Sequence, residues 1–250
     1  MPRFRMTVEY EGTGFVGWQR QANGPSVQEA VEAAIAAVTG EHPAVVGAGR
    51  TDAGVHARGM VAHVDLATGR FDGRTLCRAV NFHLRPAPVA LVTAGIVDPG
   101  FHARFSALGR RYLYRILNRP APPTLDRNRV WHVPVPLDAE AMAEAAAVLV
   151  GRHDFTSFRA AGCQAASPCR TLDRLEVCRA GDEVRVTAEA RSFLHRQVRT
   201  MVGSLRLVGD GRWQCDDLAA ALRARDRSAA GPTAPAAGLC FEAALYADGW

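Results

Sequence analysis

Apolar residues along this chain keep switching between a repeat of two and a repeat near 3.6, in no regular order. Phe4, Met6, Val8 and Tyr10 alternate, which predicts a strand over residues 4–10. A helix is predicted from Ser26. Ser26-x-x-Glu29 has the form of a capping box, Val27, Val31, Ala34, Ile35 and Val38 make the stripe, and Gly40 ends it. Met60, Ala62, Val64 and Leu66 alternate again, Leu76, Val80 and Leu84 predict a second helix, and Val89–Val97 reads as a buried strand. Further on, Arg111–Leu117 is a predicted strand with Tyr112, Tyr114 and Ile116 on one face, and Asp138–Val150 is an Ala-rich helix. Thr171–Cys178 and Val184–Ala190 read as paired strands joined by Ala180-Gly181-Asp182. Helices over Phe193–Val208 and Asp216–Arg225 and a closing strand over Leu239–Leu245 complete the pattern. Strands and helices mix without strict alternation, which favours α+β over a doubly wound sheet. Pro-containing stretches at Asn118–Pro123 and Ser228–Gly238 punctuate the chain. Strand, helix, loop and strand recur in both halves without a literal repeat, so a two-part α+β architecture is expected. A length of 250 residues accommodates it.

Composition excludes several classes. With 48% hydrophobic and 22% charged residues the chain is of ordinary globular type. No apolar run approaches the ~18–20 residues of a membrane helix. Met1–Met6 lacks the apolar stretch of a secretory signal, so a cytoplasmic protein is expected. The six cysteines form no CxxC pair and read as reduced thiols. Charge is more informative. Thirty basic residues against 25 acidic give +5, and every fixed cation is an arginine, because the sequence has no lysine. A biased base composition accounts for that, in keeping with abundant Ala, Gly, Arg and Pro. Placement adds something: seven arginines (104, 110, 111, 115, 119, 127, 129) face one acid, Asp126, and five more (191, 196, 199, 206, 212) lie around Asp210. Clustered guanidinium groups suit a polyanion, although a charge run is also the ordinary form of a solvated face.

Two motifs mislead. Gly12-Thr13-Gly14-Phe15-Val16-Gly17 is a literal GxGxxG after a predicted strand. A dinucleotide site needs a helix opening within that motif, whereas the cap comes only at Ser26, so these glycines read as a turn or a ligand-approaching loop. His153, Cys163, Cys169 and Cys178 have no zinc-knuckle spacing, and no metal is expected. A GxSxG elbow and a Walker A loop are both missing. The strongest segment is Gly47-Ala48-Gly49-Arg50-Thr51-Asp52-Ala53-Gly54-Val55-His56-Ala57. Its glycines permit a sharp loop that presents Arg50 and Asp52. An adjacent opposite charge favours an ionised carboxylate, as a base or nucleophile requires. An Asx-turn, with Asp52 bonding its own backbone, explains the same residues equally well.

That segment resembles the active-site signature of the tRNA pseudouridine synthase A family, GRTDxGVHA, in which the Asp is catalytic. The resemblance extends along most of the chain. It includes Glu9–Gln21, Phe101-His102-Ala103-Arg104-Phe105-Ser106 leading into Arg110–Tyr114, and His153–Phe158. It continues through Ala161–Gln164, Ser167–Thr171, Phe193–Gly203 and Ala236–Leu239. The resemblance implies two similar halves sharing a mixed, mainly antiparallel sheet flanked by helices, with a central basic cleft. Residues 1–105 would carry the Asp loop, and 106–250 the aromatic strand, the arginine helix and the closing strand. It further implies a homodimer that binds tRNA and isomerises uridine to pseudouridine at positions 38–40 of the anticodon stem-loop, with no cofactor. Breaking N1–C1′ and joining C5 to C1′ changes neither redox state nor phosphate count.

By the same resemblance Asp52 is the catalytic carboxylate, acting on a uridine taken out of its stack. Arg199 is its partner, and Tyr112 offers its ring to the flipped uracil. Arg50 enters the gap left by the nucleotide or grips its phosphate, and Leu239 walls the base pocket. Tyr114 is expected in the core, and His56 and His63 are expected to support loop and sheet. Met60, Arg85 and His195-Arg196-Gln197 depart from the family pattern without touching Asp52, Tyr112 or Arg199. The competing expectation is a non-catalytic tRNA-binding or RNA-chaperone protein using the same cleft.

Overall fold

The computed structural model describes residues 1–247. In chain order its elements are β1 (Arg3–Tyr10), α1 (Val27–Thr39), β2 (Val46–Gly47), β3 (His56–Asp65), α2 (Gly73–Leu84), β4 (Val89–Val97) and β5 (Gly109–Leu117). There follow β6 (Trp131–His132), α3 (Ala139–Ala147), β7 (Gly151–Asp154), β8 (Cys169–Ala180), β9 (Glu183–Ala190), α4 (Gln197–Gly209), α5 (Cys215–Ala224) and β10 (Leu239–Leu245). The class is α+β, with mainly antiparallel strand pairing. Two compact units divide the chain. One comprises Met1–Leu108 with the segment that begins at Cys240; the other is Gly109–Leu239.

In the first unit β1 pairs antiparallel with both β3 and β4, β2 pairs antiparallel with β3, and β10 runs parallel to β3 through Cys240–His56 and Phe241–Ala57. The β1 alternation is as predicted, with Phe4, Met6, Val8 and Tyr10 buried. The opposite face is covered as well. Arg5 is fully buried, its guanidinium 4.9 Å from the Phe101 ring and 4.2 Å from the Tyr246 ring. Helix α1 starts where Ser26 Oγ accepts the Glu29 N–H and stops at Gly40, which takes the left-handed conformation at φ 74°. Helix α2 is capped by Asp72 and buries Leu76, Val80 and Leu84. Strand β4 has the predicted bounds but not the predicted burial. Val92 and Ile96 are 56% and 60% exposed, and the pairing slips by one residue at Val92, so β4 is a bulged strand covered on one side only.

In the second unit β5 pairs antiparallel with β9, β9 with β8, and β8 with β7, while β6 lies parallel to β5. The β8–β9 hairpin turns at Gly181, φ 60°, as the Ala-Gly-Asp punctuation predicts. Two predicted helices are too long. Helix α3 ends at Ala147 rather than Val150, and α4 opens at Gln197 rather than Phe193. The α4 delay has a local cause: the Gln197 side chain accepts the Leu194 N–H at 2.8 Å, and Arg196 sits in the left-handed region at φ 62°.

Candidate active site

The Asp52 loop is held by backbone meeting backbone. Residues 12–17 open no helix; they lie against residues 51–55. A Cβ on Gly12 would stand 2.1 Å from the Val55 carbonyl oxygen, and one on Gly17, at φ 117°, would stand 2.3 Å from that of Thr51. Only residues without a side chain allow this approach. Hydrogen bonds complete the seam. Trp18 N–H donates to the Thr51 carbonyl and Gly54 N–H to that of Phe15, both at 3.3 Å, and Gly12 N–H donates to His56 Nδ1 at 3.0 Å. Tyr10 Oη and Thr51 Oγ1 are 2.8 Å apart in a buried bond. The Trp18 ring lies 6.0 Å from that of Tyr10, and a Cβ on Gly47 would strike its indole at 2.6 Å.

This seam bears on the Asx-turn alternative. The amides such a turn would use donate to main-chain carbonyls, Gly54 N–H to Phe15 and Val55 N–H to Asp52 at 3.1 Å. Backbone bonds therefore close the turn, and the half-buried Asp52 and exposed Arg50 sit on a loop whose shape is set by its neighbours. Tyr10, Trp18 and Thr51 were not among the expected site residues. Their signal in the sequence was the pair of glycines placed to admit another backbone.

His56 and His63 are both buried and support structure. His63 Nδ1 accepts the Ala103 N–H at 3.1 Å, and burial, reinforced by Arg3 and His102, pushes its pKa down to about 4.

The second unit holds Tyr112, Arg199 and Leu239. Tyr112, 8% exposed, meets the edge of Phe193 at 5.2 Å with the rings perpendicular. Tyr114 is fully buried and donates to the Pro235 carbonyl at 2.7 Å, a core position as expected. Burial pushes its hydroxyl pKa up against the opposing influence of Arg199. Arg199 is bonded twice to one residue: its Nε donates to the Ala234 carbonyl at 2.8 Å, and Ala234 N–H donates to the Arg199 carbonyl at 3.0 Å. Gly203 lets the 231–235 segment lie directly on α4, since a Cβ there would be 1.7 Å from the Pro232 oxygen. Arg199 and Tyr114 are thus tied to the adjacent carbonyls of Ala234 and Pro235, in the stretch that leads through a 3-10 turn at Ala236–Gly238 to the buried Leu239.

The arginine cluster is less available than its density along the chain implied. Arg111 pairs with Glu189 at 2.7 Å, Arg115 with Glu183 and with Asp126, and Arg119 with Asp182 at 3.3 Å. Arg110 is buried and donates to the Arg191 carbonyl. Arg206 and Arg212 both pair with Asp210. Arg127 and Arg129 are exposed and make no side-chain hydrogen bond or ion pair among the described residues. No group of three or more His, Cys, Asp and Glu side chains among the described residues is arranged to hold a metal ion.

A family model described as tRNA pseudouridine synthase matches residues 6–106 and 145–247. The chain belongs to the tRNA pseudouridine synthase family. Its members are isomerases. A protein of Rhodospirillum centenum named tRNA pseudouridine synthase A is 63% identical over 246 residues, covering 98% of this chain and 100% of its own length. One of the same name from Rhodospirillum rubrum is 61% identical over 241 residues, covering 96% of this chain and 86% of its own. Another from Paramagnetospirillum magneticum is 59% identical over 246 residues, covering 98% and 96%. The stretches matching the family model include Arg50, Asp52, Arg199 and Leu239, while Tyr112 lies outside them.

Proposed function

We propose that this chain isomerises uridine to pseudouridine at positions 38–40 of the tRNA anticodon stem-loop, with Asp52 as the catalytic carboxylate. The observation that carries the reading is the loop itself, a full family signature that bears Asp52 and Arg50 and whose turn is closed by backbone bonds. A carboxylate on a fixed loop suits chemistry at an extruded nucleotide, because misplacing a reacting group by about 1 Å costs roughly 100-fold in rate.

In the reaction the N1–C1′ bond breaks, the uracil turns, C5 bonds to C1′, the C5 hydrogen leaves as a proton and N1 takes up a proton, so the product is an isomer. Asp52 serves either route to the first step, removing the C2′ proton or attacking C1′. Tyr112, its ring already set by Phe193, stacks on the flipped uracil. Arg199 orients the carboxylate, Arg50 takes the vacated gap or its phosphate, and Leu239 walls the base. The resemblance also supports a homodimer acting in the cytoplasm, and no described helix is long and apolar enough to cross a membrane.

The test is to map the modification. Unmodified tRNA transcripts incubated with the protein, treated with carbodiimide and copied by reverse transcriptase should show stops one residue before uridines 38–40. Tight binding without such stops would overturn the reading in favour of a non-catalytic RNA-binding protein.

A further inference from the structure

Helix α2 carries Arg74, Arg78 and Phe82, with Arg85 as its C-terminal cap residue. At 100° per residue these four fall within about 80° of one another, opposite the inward stripe of Leu76, Val80 and Leu84. All four are exposed, Phe82 at 71%, with His83 set edge-on to its ring at 5.2 Å. Helix α2 contains no acidic residue. The acid beside it, Asp72, is engaged as the cap, its carboxylate accepting the Thr75 N–H at 2.7 Å. That bond first, with the Arg74 charge adding to it, keeps the carboxyl below its usual range.

Arg74, Arg78 and Arg85 make no side-chain hydrogen bond or ion pair among the described residues. Three other arginines of the same unit are matched with acids, Arg3 with Asp65, Arg20 with Glu32 and Arg58 with Glu242. Helix stability does not account for the stripe. Arg74 stands in the first turn, where the helix dipole disfavours a cation, and neither it nor Arg78 has an acid one turn away. The face is also rigidly mounted: the Asn81 side chain exchanges two 2.8 Å hydrogen bonds with the main chain of Leu91 on β4. From Arg74 to Arg85 the helix runs about 16 Å, long enough for its three guanidinium groups to reach separate phosphates of one nucleic-acid strand.

We propose that this face of α2 is a second RNA-binding surface, separate from the Asp52 loop. Arg74, Arg78 and Arg85 take backbone phosphates of the substrate, and Phe82 stacks on an unpaired base. The inference rests on the proposed function, since it takes the polyanion to be the substrate tRNA. Arg85, a departure from the family pattern, thereby gains a role.

The test uses full-length tRNA transcript with the whole protein, comparing wild type, the triple variant Arg74→Gln/Arg78→Gln/Arg85→Gln, and Phe82→Ala. Melting curves first confirm that each variant is folded. The triple variant should reduce the slope of log affinity against log salt by about two to three. Phe82→Ala should weaken binding about tenfold with the slope unchanged. Wild-type affinity and slope in both variants would overturn the proposal. A changed oligomeric state with an unchanged slope would do so as well, assigning the face to a second copy of the chain. A wild-type protein that binds tRNA without isomerising it would instead sink the proposed function, while the slopes would still decide the α2 surface.

Discussion

Gly17 lies so close to the loop bearing Asp52 that a Cβ on it would stand 2.3 Å from the Thr51 carbonyl oxygen. Gly12 stands in the same relation to Val55, and the amides of Trp18 and Gly54 stitch the two loops together. The position of the carboxylate is therefore set by a backbone-on-backbone seam rather than by long side chains, which lose more freedom on ordering.

Gly17→Ala should be severe for two additive reasons, a positive φ of 117° and a collision with main-chain atoms. The strain alone is worth about 1–3 kcal/mol, and relief by moving the loop should reduce turnover by roughly 100-fold. Gly14→Ala is the matched control, since a Cβ there meets nothing within 4 Å. It should change stability by less than about 0.5 kcal/mol. Thermal melts and single-turnover rates on both variants check the contrast.

His63 makes stability depend on pH. Its folded pKa of about 4 lies below the unfolded value of 6.5, so between these values the unfolded chain binds more protons. Stability is complete above pH 6.5 and is lost as pH falls toward 4, by up to about 3 kcal/mol from this group. Carboxylates held low by partners, Asp65 by Arg3 and Glu183 by Arg115, add their own loss at still lower pH. Urea midpoints measured from pH 7 to pH 4.5 should fall, and His63→Asn should flatten the decline. An equally steep decline in the variant would contradict the assignment.

The arginines of residues 104–129 should separate into two kinds. Arg115→Gln removes the partner of Glu183 and Asp126 and should destabilise the fold by about 1–3 kcal/mol, with little change in the salt dependence of tRNA binding. Arg127→Gln/Arg129→Gln should leave the melting temperature unchanged and lower the salt slope by about two. Urea unfolding and tRNA titrations at several salt concentrations read both effects.

Much of this architecture was legible in the sequence because it rests on local signals. Ser26 and Gly40 bound α1 through the bonds their residue types favour, alternation placed β1, and β4 and β10 have the bounds read from their residues. What was not legible depends on partners distant in sequence. Alternation marked the Phe4, Met6, Val8 and Tyr10 face of β1 and was silent on the other, where Phe101 and Tyr246 enclose Arg5. An apolar run located β4 without showing that one side lacks a covering layer. Counting arginines along the chain overstated the basic surface, because Glu183 and Glu189 on β9 come from far downstream to neutralise Arg115 and Arg111. At the candidate site, the signature located Asp52 and Arg50. The GxGxxG glycines announced a close approach, but that they approach Thr51 and Val55 is a tertiary fact.

The role of Asp52 can be read from tRNA transcripts carrying tritium at uridine C5. Joining C5 to C1′ expels that hydrogen, so label entering water reports the isomerisation itself. The wild-type protein should release label and Asp52→Asn none above background, with tRNA affinity retained. Release by Asp52→Asn at the wild-type rate would contradict the assignment of Asp52 as the catalytic carboxylate.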